Sequence, residues 1–403
     1  MAGRLEDAKP WPGGDGRLVA GPAAATCVRW GQGYPARVVP PRILSLDQFR
    51  GYTVLAMFVV NFLGDFAVTP ALLKHTNTFF SYADAVMPQF FFAVGFAYRL
   101  TFLRAAAKQS AGVYRRFWKR NGSLILLGAL MYLGPEVVRA LTREHPLTLK
   151  AFLTQAICEE LFQTLVHIGI TALWILPVIG SRPVVRIAWM LGSAGLHLGL
   201  SHWFYYEWVT QVAGIDGGML GFLTWTIPMI AGSLAHDVLT QQAEPAKAVR
   251  ALWWYGVGVM VLGYGLSCLN LVTPPNSAAS TGASSWLVAP PFVPPTHPVN
   301  LWTMSQRAGS VSYLTFGAGL ALALYAGFVW ACDICRWQLG IWRTLGTNAL
   351  AGYVIHSIVA LAFGPLLARR APGGVVIVAL LVYLGICYGG VRLLERKGIH
   401  WRI

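Results

Sequence analysis

Residues 161–180 read LFQTLVHIGITALWILPVIG, twenty consecutive positions without an Asp, Glu, Lys or Arg. About 20 apolar residues in a helix cross a hydrocarbon core of about 30 Å, whereas the helices of soluble proteins keep one polar face. This segment sits in a wider run, about 157–179, and similar runs occupy about 46–66, 80–103, 122–141, 184–205, 219–239, 251–272, 310–331, 345–367 and 374–394. The pattern predicts an all-α polytopic membrane protein of about ten transmembrane helices. Composition points the same way. The 403 residues are 56% hydrophobic and 12% charged, with mean hydropathy +0.54. A soluble globular protein carries about twice that charged fraction, which excludes a water-soluble enzyme.

The first run carries Asp47 and Arg50 near its start. Ser45-Leu-Asp-Gln48 there reads as a capping box, which places Arg50 at the lipid headgroups. Ten spans put both termini on one side, and charge selects the side. If the N-terminus is cytoplasmic, 24 of the 31 basic residues lie inside and seven outside. The inside-positive rule therefore places both termini in the cytoplasm, in a multi-pass inner-membrane protein. The net charge of +15 is then an orientation signal and implies no nucleic-acid partner.

Residues 1–41 contain Pro10, Pro12, Pro22, Pro35 and Pro40 and no apolar core, the composition of a disordered cytoplasmic tail and not of a signal peptide. Residues 42–403 form the membrane domain. Within it, 273–308 is a long external loop, a length typical of lids and binding loops. Cys332 and Cys335 make a lone Cys-x-x-Cys, two thiols short of a structural zinc site, and no metal is expected. Gly-rich phosphate loops, Gly-x-Ser-x-Gly and His-Glu-x-x-His are missing from the sequence, so ATPase, serine hydrolase and zincin chemistries lose support.

Polar side chains inside a membrane cost several kcal/mol and are functional candidates by default. They are Asn61, Asp84, Glu159, Glu160, His167, His197, His202, His236, Asn348 and His356, with Asp65 and His75 in the first external loop. Interhelical hydrogen bonding accounts equally well for many of them. The densest group runs from Asn61 to Gly95. A short loop makes its two helices antiparallel neighbours, so His75 sits above both helix ends. Asp84, in the first turns of the second helix, is either a plain N-terminal cap or the carboxylate that orients His75. Pro88, four residues on, frees the backbone carbonyl of Asp84. Asn348 and His356, eight residues apart, share one helix face and point into the bundle. From Arg99 to Arg120 there are seven basic residues and no acid. Lipid attraction and orientation suffice to explain them; the sharper expectation is a phosphate-binding mouth for an acyl-CoA donor, with Arg115, Arg116, Lys119 and Arg120 as its residues.

Ser45-Leu-Asp-Gln-Phe-Arg-Gly51, Val59-Val-Asn61, Lys74-His75 and Ala83-Asp84 with Pro88 and Gly95 resemble the catalytic domain of the heparan-α-glucosaminide N-acetyltransferase family. The resemblance continues through Asn300-Leu-Trp-Thr-Met-Ser305 and Gly346-Thr-Asn348 with Tyr353 and His356, covering about 42–395. It implies a multipass acyltransferase that moves an acetyl group from cytoplasmic acetyl-CoA to an amino or hydroxyl group of a sugar on the extracytoplasmic side. On that resemblance His75 is catalytic, either as base or as carrier of the acetyl group. Asn61 holds His75 or stabilises the oxyanion, and Asp84, Gln163, Asn348 and His356 shape the site and channel. The chain departs from the family at Phe162-Gln163-Thr164, where the family shows Leu-Gln-Arg, and the expected organisation is a membrane domain without the luminal N-terminal domain of the animal enzyme. A cell-envelope or periplasmic sugar is therefore the expected acceptor. A homodimer is compatible with the sequence. Two other classes stay open. One is a proton-coupled transporter or exporter of an envelope glycan or lipid, relaying protons through Asp84, His167 and His236. The other is a non-catalytic partner subunit. Against the transporter, no repeat relates the first five spans to the last five.

Overall fold

A computed structural model describes residues 43–401 apart from 109–111, 143–147, 212–215, 243 and 273–286. The tail expected over 1–41 and the first part of the expected external loop lie outside those residues. Among the described residues every regular element is helical: α1 Leu44–Leu63, α2 Tyr82–Ala107, α3 Val113–Thr142, α4 Leu149–Thr154, α5 Thr164–Ile175, α6 Pro183–Leu200, α7 Tyr206–Gln211, α8 Phe222–Gln241, α9 Pro245–Cys268, α10 Val311–Phe328, α11 Gly340–Thr347, α12 Ala349–Phe363 and α13 Gly373–Arg396. π-helical segments extend α4 over Gln155–Leu161, α6 over Ser201–Tyr205 and α10 over Val329–Ile334.

The protein is an all-α polytopic membrane protein. Among the described residues seven helical stretches are long and apolar enough to cross a membrane, or nine if each of two bent pairs counts as one span. The pairs are Leu149–Leu161 with Thr164–Ile175, bent by 74°, and Gly340–Thr347 with Ala349–Phe363, bent by 92°. The first expected span forms α1 but falls outside that set; it is largely buried and carries Asp47 and Arg50.

The α1 start differs from expectation. Its N-cap is Ile43, without a side-chain cap. The helix begins before Ser45, so that hydroxyl donates across the bundle to Asp333 Oδ2 (2.6 Å), and Asp333 Oδ1 accepts from the Ser45 backbone N–H (3.2 Å). Gln48 exchanges hydrogen bonds with the backbone of Leu339. An orphan donor of the first turn is thus satisfied by another helix instead of a local box. The basic loop is also shorter than it reads: α2 runs to Ala107 and α3 starts at Val113, so most of Arg99–Arg120 is helical.

α2 and α8 lie at the centre and touch backbone to backbone. A Cβ on Gly95 would come within 1.8 Å of the Met229 carbonyl oxygen, so only glycine allows this approach. Gly346 plays the same part between α11 and α1, where a Cβ would meet the Asp47 carbonyl at 1.8 Å. Around them a core of Phe49, Phe91, Phe92, Phe96, Trp225 and Tyr325 is fully buried. The helix ends gather into two sets. The α1 C-terminus meets the α12 C-terminus through Phe62 and Phe363, and the starts of α2 and α10 join through Tyr313 and Asp84. At the other end the α1 start meets the end of α10, and α2, α6 and α8 converge on Asp237.

Candidate active site

His75 sits in the segment between the single turn Ala71–Leu73 and the α2 N-cap, Ser81. Ser81 and Asp84 form the capping box that was expected at Ser45: the Asp84 N–H donates to Ser81 Oγ (3.1 Å) and the Ser81 N–H to Asp84 Oδ2 (3.1 Å). Ser81 Oγ in turn donates to the Lys74 carbonyl (2.8 Å), drawing the His75 segment down onto the helix start. Asp84 Oδ1 remains for His75 Nδ1, at 3.0 Å. Asp84 thus caps the helix with Oδ2 and contacts His75 with Oδ1. Opposite Pro88, the freed Asp84 carbonyl accepts from the Tyr313 hydroxyl (2.7 Å).

Two further residues complete the group. Gln306 Oε1 lies 2.9 Å from His75 Nδ1, and Gln306 Nε2 donates to Asp216 Oδ1 at 2.7 Å. Both groups facing Nδ1 are acceptors, so Nδ1 carries the proton and Nε2 is left as the basic nitrogen. The His75 side chain is 42% exposed, whereas that of Asp84 is 1% exposed. Burial alone would push the imidazole down, but the hydrogen bond and charge of Asp84, with Asp216 and Gln306 adding, hold it above its ordinary value. Asp216 is buried in a tight turn at φ +64°, and burial pushes its carboxyl up to about 6 against the pull of Gln306 and His75. Gln306 and Asp216 were not singled out from sequence. The available signals were that Gln306 follows the Asn300–Ser305 motif and that Asp216 precedes two glycines.

Asn61 pairs with a different histidine. His356 Nδ1 donates to the Tyr353 carbonyl (2.5 Å), so its Nε2 accepts from Asn61 Nδ2 at 3.2 Å. Phe58 stacks on the His356 ring at 5.4 Å. Next to this pair, the Tyr353 and Tyr132 hydroxyls are 2.7 Å apart, and Tyr132 accepts from the Leu165 N–H at the start of α5. Gln163, the α5 N-cap, donates to Glu160. Asn61, His356 and the broken helix at Gln163 thus draw α1, α3, α5 and α12 together. Asn348 does not join them. It stands at the corner between α11 and α12, so the eight-residue spacing to His356 does not run along one helix. Its amide instead pairs with the Ile399 carbonyl and the Trp401 N–H.

The basic group lies at the opposite end. Asp84 and Tyr98 are 14 residues apart on α2, about 21 Å at 1.5 Å per residue. Arg120 is half-buried with its guanidinium 5.9 Å from the centre of the Tyr98 ring, and Arg50 and Arg116 are the cations that repel it. Arg115, Arg116 and Lys119 are exposed. Arg99 separates from this group. It is buried, makes two bonds to Asp237 (3.1 and 3.3 Å) and donates to the Ile179 carbonyl. Arg186 donates to the same carboxylate and to Ser233 Oγ. His236 also binds Asp237 (3.1 Å), and His167 has no hydrogen-bond partner on either ring nitrogen. Among the described residues Asp84, His167 and His236 are not joined to one another by direct hydrogen bonds. Cys332 is buried and Cys335 exposed, both as free thiols.

Residues 42–201 match the family described as heparan-alpha-glucosaminide N-acetyltransferase, catalytic. That segment is heparan-α-glucosaminide N-acetyltransferase-like and holds Asn61, His75, Asp84, Gln163 and the basic residues of α3. The resemblance read in the sequence at Asn300–Ser305, Gly346–Asn348 and His356 lies beyond the match. No curated protein matches the chain.

Proposed function

From the match of residues 42–201 to this acetyltransferase family, we propose that the protein transfers an acetyl group from acetyl-CoA, held at the Arg115–Arg120 end, to an amino or hydroxyl group of a sugar at the His75 end. The observation that carries this reading is the state of His75. Its Nδ1 proton is pinned between Asp84 and Gln306, while the side chain stays open to solvent on the far side of the bundle from the basic cluster.

Two routes use the same geometry. In direct transfer, Nε2 takes the proton of the acceptor amine or hydroxyl as it attacks the thioester carbonyl, and CoA leaves as the thiolate. In the two-step route, Nε2 itself attacks and the C–S bond breaks to give an acetyl-imidazolium and CoA thiolate; the acceptor then attacks that acetyl carbon, the C–Nε2 bond breaks, and the released Nε2 takes the acceptor's proton. Asp84 stabilises the positive charge on the ring in both, as a buried carboxylate does for a catalytic imidazole. By the family resemblance the oxyanion role falls to Asn61, whose amide has a second N–H beyond the one given to His356. Among the described residues, 17 basic residues on segments at the Arg120 end against six at the His75 end favour a cytoplasmic donor end and an extracytoplasmic His75 end.

Purified protein in lipid nanodiscs with radiolabelled acetyl-CoA and an amino-sugar acceptor tests this. Wild type is expected to turn over, and His75→Ala to lose transfer while keeping its thermal unfolding profile. Transfer at the wild-type rate by His75→Ala would overturn the assignment. Label trapped on His75 without acceptor identifies the two-step route.

A further inference from the structure

The amide of Gln306 has one accepting and one donating end, and its surroundings leave it a single orientation. Asp216 accepts only, so it takes the NH2 end at 2.7 Å. That turns Oε1 toward His75 Nδ1 at 2.9 Å. The parts come from three separate segments: His75 and Asp84 from the first loop and α2, Asp216 from the turn before α8, and Gln306 from the strap before α10. The turn and the strap are clasped to one another, since the Gly217 N–H donates to the Arg307 carbonyl (3.1 Å). Asp216 is itself anchored, because its own carbonyl accepts from Trp225 Nε1 (2.7 Å) and its side chain is buried. His75 is on a short exposed loop, and without Gln306 only Asp84 would hold its ring.

We infer that Gln306 and Asp216 are positioning residues for His75: Asp216 fixes the polarity of the Gln306 amide, which locks the imidazole in the tautomer with Nε2 free. The titratable groups facing His75 are then Asp84 from α2 and Asp216 through Gln306, one carboxylate bound directly and one through a group that cannot ionise. Gln306 transmits orientation without carrying a proton, so the Nδ1–H stays on the ring throughout the reaction. What Nε2 does with that freedom rests on the acetyl transfer proposed above; the tautomer lock does not.

Two measurements separate these. The first follows carbethoxylation of His75 by diethylpyrocarbonate against pH, read by mass spectrometry of the His75 peptide, and needs no enzymatic activity. Neutral imidazole reacts, so the midpoint follows the ring's affinity for its proton. Removing the Gln306 acceptor destabilises the imidazolium, and Gln306→Leu is expected to move the midpoint to lower pH. The second is kcat, expected to fall about tenfold or more in Gln306→Leu, with little change in the acetyl-CoA KM. Gln306→Glu sets two carboxylates against each other and is expected to lose kcat as well. The double variant Gln306→Glu, Asp216→Asn reverses donor and acceptor between the two positions while still presenting an oxygen to Nδ1, and is expected to recover kcat and to bring the midpoint back up to or above the wild-type pH.

A purely structural clasp would lower the unfolding temperature of Gln306→Leu but leave the carbethoxylation midpoint unmoved, and the inference would fall. Failure of the double variant to recover beyond Gln306→Glu would overturn it too. Absence of transfer by wild type would refute the proposed reaction alone, since the carbethoxylation arm still decides the lock.

Discussion

Oδ2 of Asp84 closes the α2 capping box while Oδ1 holds His75, so substitutions can be chosen that separate the two duties. In Asp84→Asn the amide oxygen can still accept at the cap, and the fold is expected to lose about 1–2 kcal/mol at most. The amide NH2 then faces an Nδ1–H, a donor against a donor, which drives the ring to the other tautomer. An enzyme histidine in the wrong tautomer loses kcat by about four orders of magnitude. Asp84→Asn is therefore expected to abolish measurable transfer with near-normal thermal unfolding, whereas Ser81→Ala, which loses both the cap and the tie to the Lys74 carbonyl, should weaken the helix start and lower activity far less than Asp84→Asn. The pH profile has a definite sign. Asp84 and Gln306 raise the proton affinity of His75, and the ring must be unprotonated at Nε2 to act, so the acid limb of kcat in wild type should lie above the ordinary histidine value. In Gln306→Leu it should shift to lower pH; an upward shift would contradict the assigned tautomer. His75 and Asp84 were legible because nine residues around one helix start fix their proximity. Gln306 and Asp216 were not, because their partnership joins positions 90 residues apart through segments with no periodicity to read.

Helices show the same division. Apolar runs of about 20 residues reveal spans because burial in lipid depends on composition, and each of the ten runs corresponds to helix in the structure. Composition says nothing about backbone angles, so 157–179 and 345–367 read as continuous while the chain bends by 74° at Phe162–Gln163 and by 92° at Asn348. Nor does it tell a solvated arginine from a buried one. Arg99 reads as part of a basic loop, yet its partner Asp237 is one helix away in space and 138 residues along the chain. Asp237 carries two guanidiniums whose side chains are 10% and 0% exposed. Removing one partner of a buried ion pair costs about 3–5 kcal/mol because the other charge is stranded. Asp237→Leu should thus lower the thermal midpoint sharply in detergent. Replacing Arg99, Arg186 and Asp237 together with apolar residues of similar size should cost much less. Equal losses in the two variants would mean that the group acts through packing and not through charge.

Across the whole molecule, packing alone leaves open which end faces the cytoplasm, and the distribution of charge is what favours one answer. The helix ends sort into two sets, and a bundle of antiparallel neighbours would be equally stable either way up. The distribution of Lys and Arg breaks the symmetry: among the described residues 17 lie on segments at the α1-start end and six on segments at the His75 end. Exposed Cys335 follows Asp333, the residue bound to Ser45, and so marks the α1-start end, whereas exposed Thr78 lies in the His75 loop. A membrane-impermeant maleimide added to intact expressing cells should therefore modify Thr78→Cys and spare Cys335, and both should react once the membrane is opened. The converse pattern would put His75 in the cytoplasm beside the donor pool. Under the proposed function, acetyl-CoA would then have no membrane to reach across, and the acetyl group would not need to travel the 21 Å of α2 between Asp84 and Tyr98.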